Sequence, residues 1–223
     1  MGLDSIELEH QQVVPGSYAI FTMPTARALD VEFAFFPTLV TESTQTLFQF
    51  GGVRFSFSEH GYTLDHSGFE TRLFATPKVN RWHQVKISSA LREIEVTCVP
   101  KGPGEIEKRS NSELPAELVA EAGQWYLACE RPGIDHFNGK IDGVVVRETN
   151  KILSSWDFSR DISSDRVFDN SGNSHNGYLK QTPTRAVKGI SWDGSTQRWK
   201  DNPGHYSAVH FHQDDITNAD WDD

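Results

Sequence analysis

Val53-Arg54-Phe55-Ser56-Phe57-Ser58 alternates apolar and polar side chains without a break. In an extended chain successive side chains point to opposite faces, so this run predicts a strand with Val53, Phe55 and Phe57 on one side. His60-Gly61 separates it from Tyr62-Thr63-Leu64, and the two runs together predict a hairpin. The same period recurs on either side. Val31, Phe33 and Phe35 share a face until Pro37 closes their run. Trp82-His83-Gln84-Val85-Lys86-Ile87 and Ile94-Glu95-Val96-Thr97-Cys98 predict another pair, and Trp125 to Cys129 and Ile141 to Val146 supply two more strands. Helix signals are confined to Ser112 through Glu121, where Pro115 suits a first turn. Lys101 to Asn111, around Gly102-Pro103-Gly104, reads as an exposed polar loop. Many short strands and Gly-rich turns predict an all-β chain, an antiparallel two-sheet β-sandwich.

The chain has 223 residues, which suits one sandwich with a core of its own. Residues 1–180 read as that sandwich. From about Lys180 the alternation weakens, and residues 181–223 read as an extended arm and strand that pack on it and lead toward a downstream domain. The alternation resumes at Tyr206-Ser207-Ala208-Val209-His210-Phe211-His212. No apolar run approaches the ~20 residues of a membrane-spanning helix. Met1-Gly2-Leu3-Asp4 lacks the basic and then apolar start of a signal peptide. With only Cys98 and Cys129 present, two free thiols in a reducing cytoplasm is the preferred reading, while a single disulfide stays open. The net charge of -10 argues against nucleic acid and anionic membrane surfaces as partners.

Three motifs resemble the laminin-G-like, concanavalin A-like jelly roll: Trp82-His83-Gln84-Val85 on a strand, Phe137-Asn138-Gly139-Lys140-Ile141-Asp142-Gly143-Val144 at a turn and strand, and Asp169-Asn170-Ser171-Gly172-Asn173 at a turn. In such a fold Trp82 is expected to fill the core, and Gly139 and Gly172 to permit tight turns. A narrower resemblance covers roughly residues 134–221. Trp156-Asp157-Phe158-Ser159, Pro183-Thr184-Arg185-Ala186, Gly189-Ile190-Ser191-Trp192-Asp193-Gly194 and His205 through Asp215 recur in the order found in the large subunit of N,N-dimethylformamidase and its relatives. In that family a laminin-G-like domain precedes a larger catalytic domain whose iron is held by Tyr and Glu side chains. No position here matches those ligands. The resemblance implies a non-catalytic domain of a larger amidase-like subunit, with the chain stopping at Asp223 where the family continues.

Read for chemistry, the residues leave alternatives. His210 and His212 share one face of a strand and Asp214 can follow, a set acceptable to zinc or iron(II). Equally, Val209 and Phe211 fill a core while both imidazoles face outward. Asp169, Asn170, Ser171 and Asn173 offer oxygens to calcium, or simply form a turn. Trp125, Tyr126, Trp156 and Trp199 are the aromatics a sugar would stack on. Glu93 and Glu95 alternate along one strand and read as a solvated face, not a glycosidase pair. No activated Ser or Cys is evident, and Cys129 lies in an apolar pattern that suggests an inert thiol. The expectation is therefore a scaffold or interaction domain, not catalytic by itself and needing no cofactor of its own, since any iron belongs to the catalytic domain. Its partners are that domain and neighbouring subunits, and oligomer formation stays open. Trp192, Trp199, Tyr206, His210, His212 and Trp221 are the expected interface anchors. The alternative is a carbohydrate-binding, lectin-like module assisted by calcium.

Overall fold

The computed structural model describes residues 16–100, 105–192 and 203–213. In chain order the strands are β1 (Tyr18–Met23), β2 (Leu29–Pro37), β3 (Gln45–Phe50), β4 (Val53–Ser58), β5 (Gly61–His66), β6 (Phe69–Leu73), β7 (His83–Ser88) and β8 (Glu93–Cys98). There follow β9 (Lys108–Glu113), β10 (Gly123–Leu127), β11 (Gly139–Glu148), β12 (Lys151–Asp157), β13 (Arg166–Asp169), β14 (Gly177–Lys180), β15 (Thr184–Val187) and β16 (Ala208–Phe211). All named pairings are antiparallel.

The strands form two facing layers of a β-sandwich. The first runs β6-β5-β4-β3-β10-β1-β14-β13 and the second β12-β11-β2-β7-β8-β9. β13 pairs with β14 on one side and β12 on the other, so the layers are continuous at that edge. At the opposite edge β6 approaches β9. Between them lies an aromatic core built by the alternating positions. Phe33 of β2 meets Phe48 and Phe55 edge-on, with ring centres 5.9 and 6.3 Å away. Phe21 of β1 stacks on Trp156 of β12 at 3.7 Å. Each such side chain contributes about 1.5–3 kcal/mol through burial.

Two expectations are corrected. Residues 112–121 form no helix. β9 runs to Glu113, partly replacing the expected loop, and the chain then lies irregularly along the start of β2. There Leu29 N donates to Leu118 O, and Ala26 and Ala120 exchange backbone hydrogen bonds. Leu114 and Leu118 are both buried, so their four-residue spacing, which mimics a helix, instead serves a segment whose backbone groups bond to other parts of the chain. Nor does Trp82 fill the core. His83, Val85 and Ile87 face inward, which turns Trp82 outward to a half-buried position edge-on to Phe36, with ring centres 5.4 Å apart.

The segment after β14 joins the second layer. β16 pairs with the first residues of β11, and β12 takes up the rest of the same edge. The changeover falls at a bulge between Asp142 and Val145, where Asp142 is followed by Gly143 at φ 62°.

Candidate functional site

The outer face of the second layer is where the segment after β14 builds a surface. Trp82, Phe36 of β2, Lys140 of β11, His210 of β16 and Thr184 of β15 lie side by side across it. The Lys140 ammonium sits 4.9 Å above the Phe36 ring, a cation–π contact. Burial lowers the Lys140 pKa, with Lys188 adding to it. Burial also lowers that of His210, reinforced by the positive charge of Lys140 and by His212. His210 is therefore a neutral imidazole at pH 7.

Beside this row a groove of about 540 Å³ runs over the sheet. Glu32, Ala34, Gln84 and Lys86 form its floor, and Ile190 and Ser207 contribute to its wall. The wall is pinned by one carboxylate. Asp142 Oδ2, in a side chain only 4% exposed, accepts the backbone N–H of Ile190 at 3.0 Å and the Ser207 hydroxyl at 2.8 Å. Gly189 belongs to the same joint. A Cβ there would lie 2.3 Å from Ser207 Oγ and 2.5 Å from Asp142 Oδ2, so a larger residue would displace the hydrogen-bonded pair. Gly189 N also donates to His205 O, and Ser191 Oγ to Gly204 O, tying the wall to the short 3-10 turn Pro203–Tyr206.

Trp192 is half-buried with the Lys188 ammonium 3.9 Å over its ring, and Tyr206 is half-buried in the turn. Val209 and Phe211 are buried in the core, while His210 and His212 are half-buried on the outer side. The His212 ring nitrogens lie 3.1 Å from Gln213 O and 3.0 Å from Gln181 O. Trp199, Trp221 and Asp214 lie outside the described residues. Among the described residues no three His, Cys, Asp or Glu side chains are grouped to hold a metal ion.

At the second turn Asp169 is occupied from within. Its carboxylate accepts the N–H groups of Ser155, Ser171 and His175 and the Ser171 hydroxyl. Burial opposes ionisation, but these hydrogen bonds outweigh it and hold the carboxyl below the usual range. Ser171 and Asn173 side chains turn back to the carbonyl of Leu153, and Asn170 bonds to Asp157 and Arg160. This donor set closes a turn, and it does not fit calcium without dismantling it.

The Arg185 position is also structural. Its guanidinium donates to the carbonyls of Phe158, Arg160, Asp161, Ser164 and Arg166. One side chain thus holds the whole loop between β12 and β13 against β15. Sequence reasoning did not assign roles to Asp142 or Arg185, although both sit in the quoted motifs. Of the sugar-stacking candidates, Trp125 and Trp156 are buried in the core, with indole N–H groups bonded to Glu121 O and His175 O, so neither offers a ring face to a ligand. Tyr126 is half-buried. Cys129 is buried and its thiol pKa is pushed up by burial and by Glu130.

No family model matches the chain. It is 32% identical over 131 residues to the N,N-dimethylformamidase beta subunit of Alcaligenes sp, covering 48% of the chain and 16% of that protein. It is 33% identical over 129 residues to the beta subunit of the same name from Paracoccus aminophilus, covering 47% and 17%. The chain thus spans a small part of the length of these relatives. A Bacteroides ovatus structure assigned to carbohydrate binding superposes with a TM-score of 0.51 at 10% identity, over 75% of the chain and 58% of that one. A SAP-like pentraxin from Limulus polyphemus gives a TM-score of 0.42 at 16% identity, over 60% and 73%. The first of these is in keeping with the β-sandwich; no helix among the described residues is long and apolar enough to cross a membrane.

Proposed function

We propose that this chain is a laminin-G-like scaffold domain of an N,N-dimethylformamidase-like amidase subunit, supplying a docking face and no catalytic group. The observation that carries the reading is the fate of the motif residues in the stretch that resembles that family. Asp142, Asp169, Arg185 and Gly189 are each spent on internal hydrogen bonds or close packing: Asp142 and Gly189 hold the groove wall on the second layer, while Asp169 and Arg185 fix the turn and loop on either side of β13. A rigid, pre-shaped surface is what a docking domain needs, because little ordering entropy is then lost on binding.

On this reading residues 16–180 are the sandwich, the later segment carries the contact surface, and Trp192, Tyr206, His210 and His212 meet the catalytic domain. Two thiols that are free in the structure suit a reducing, cytoplasmic setting. Any iron is held by the catalytic domain. The test is co-purification of the tagged chain with the Paracoccus aminophilus beta subunit from which the matching segment has been deleted. Stable co-elution is expected, and no dimethylamine from dimethylformamide with the chain alone. Turnover by the isolated chain would overturn the reading. A melting temperature raised by one class of sugar, with no co-elution, would replace it with the carbohydrate-binding alternative.

A further inference from the structure

A single row of side chains crosses the outer face of the first layer, on the side of the sandwich away from the groove and its wall. Strand register sets Arg166 of β13 beside Tyr178 of β14, then Ile20 of β1 and Tyr126 of β10. The row continues through Gln49 of β3, Arg54 of β4, Asp65 of β5 and Glu70 of β6. Its two halves differ in chemistry.

The β13 half is aromatic and cationic. The outward positions of β1, β10, β13 and β14 hold no carboxylate, in a chain that carries 31 Asp and Glu residues. Tyr178 is 48% exposed, and the Lys180 ammonium lies over its ring at 5.4 Å. The Arg166 guanidinium lies 5.0 Å from the centre of the Phe168 ring. Neither the Arg166 nor the Lys180 side chain has an ion-pair or hydrogen-bond partner among the described residues. Asp161 is near enough to feel the Arg166 charge, but its carboxylate accepts the hydroxyls of Ser163 and Ser164.

The β6 half is acidic and raised. The carboxylates of Asp65, Glu130 and Asp135 surround the single guanidinium of Arg54, with Asp65 at 2.8 Å and Asp135 at 3.8 Å. Three against one leaves the cluster net negative. Burial, and then Glu130, push the Asp135 pKa up against the pull of Arg54 and His136. Residues 128–137 cross the outer side of β3 and β4 here. Thr46 N donates to Asp135 O, and the outward side chains of Thr46 and Ser56 are buried. The same segment carries Ile134, 38% exposed, in a tight turn closed by Arg131 O, with the Arg131 side chain exposed beside it.

We propose that this face is an interface between two copies of the chain, related by a two-fold axis along the strands, with the β13 half of each copy against the β6 half of the other. That axis turns the row end for end. Arg166 then meets Glu70 of the second copy, and each bare aromatic half receives the raised acidic segment of the other. An axis along the row would set each half on its like, charge against equal charge, so the pattern selects one arrangement. Tyrosine and arginine without carboxylates make up the composition that interface cores favour. Eight strands give a face of about 35 Å by about 17 Å, close to the roughly 600 Å² per partner at which stable interfaces begin. A sugar is a poorer occupant, because cations already lie over the Tyr178 and Phe168 rings. The dimer does not rest on the docking role: the groove and its wall belong to the other layer and stay open in both copies.

Sedimentation equilibrium of the full chain tests this, on wild type, Arg166→Glu, Glu70→Lys and an equimolar mixture of the two variants. Both positions are exposed, and the melting temperature of each variant shows that it is folded. Wild type is expected to dimerise in the micromolar range. Each variant alone is expected to weaken the dimer at least tenfold, since like charges then meet at both ends of the interface. The mixture is expected to recover wild-type affinity, because the altered end of each variant faces the altered end of the other. A wild type that stays monomeric up to its solubility limit, single variants that dimerise as wild type does, or folded variants whose mixture stays monomeric would each overturn the proposal. None of these outcomes bears on co-elution with the amidase subunit, which tests the docking role separately.

Discussion

The buried carboxylate of Asp142 and the hydroxyl of Ser207 meet at 2.8 Å, across 65 residues of chain. Through the same oxygen Asp142 accepts the Ile190 amide, so one side chain on the β11 bulge holds the wall of the groove onto the sheet. Asp142→Ala leaves both part-buried donors without this acceptor. It should cost about 2–3 kcal/mol in urea unfolding, and limited proteolysis should cut between Lys188 and Ser207 before any other site. An unfolding midpoint equal to wild type, with no new cleavage there, would show that the wall holds itself in place.

Gly139 makes a different demand. Its φ is 154°, and a Cβ would lie 2.3 Å from Phe36 O and 2.5 Å from Phe137 Cζ. The neighbour it would hit is backbone of β2, which cannot give way without breaking the pairing of Gly139 with Pro37. Gly139→Ala should destabilise by roughly 3 kcal/mol or more, the sum of strain and overpacking. Gly172→Ala, at φ 90° but with open space around it, should cost less, because only the backbone term applies. Paired denaturation curves for the two variants test the order, which would be reversed if φ alone set the cost.

The fold was legible where one face of a strand is apolar. Val53, Phe55 and Phe57 bury together as their spacing predicts, and Val85 and Ile87 do the same across from Val96 and Ile94. It was illegible where that contrast is missing. β9 reads Lys-Arg-Ser-Asn-Ser-Glu, with no apolar side chain to alternate, because it is an edge strand whose polar face blunts further pairing. Trp82 misled because size suggested burial, while the phase of His83, Val85 and Ile87 decided otherwise. The roles of Asp142 and Arg185 depend on partners brought from far along the chain, which spacing does not reveal.

Arg185 offers a third test. Five backbone carbonyls converge on one planar guanidinium, a geometry that an ammonium cannot reproduce. Arg185→Lys keeps the charge and loses most of the bonds, so it should cost about 2 kcal/mol. Amide hydrogen exchange should rise first in residues 158–166, the loop it holds. Uniform exchange across the chain would mean the loop is held by its own Asp157 and Asp161 turns instead.

Acid should act on this protein through histidine before it acts through carboxylates. Burial lowers the pKa of both His83 and His210; Lys140 and His212 add to the effect at His210, while at His83 a hydrogen bond to the Lys78 backbone opposes it and the Lys78 charge adds to it. An unfolded histidine titrates near ~6.5. As the pH falls past that value the unfolded chain takes up protons that the folded chain refuses, so the unfolded state gains. The stabilisation is therefore complete above ~6.5 and is lost progressively as pH falls toward the depressed folded values. Asp169, held below the usual range by its turn, adds a second loss only in the carboxylate region. Urea midpoints at pH 7.5, 6.5, 5.5 and 4.5 should fall from the first interval below 6.5 onward. His210→Gln should reduce that upper part of the curve, leaving the share of His83, and keep the carboxylate part intact, whereas Asp169→Asn should reduce the carboxylate part alone. A wild-type midpoint that stays level down to pH 5 would show that the protonated imidazoles find compensation in the folded state.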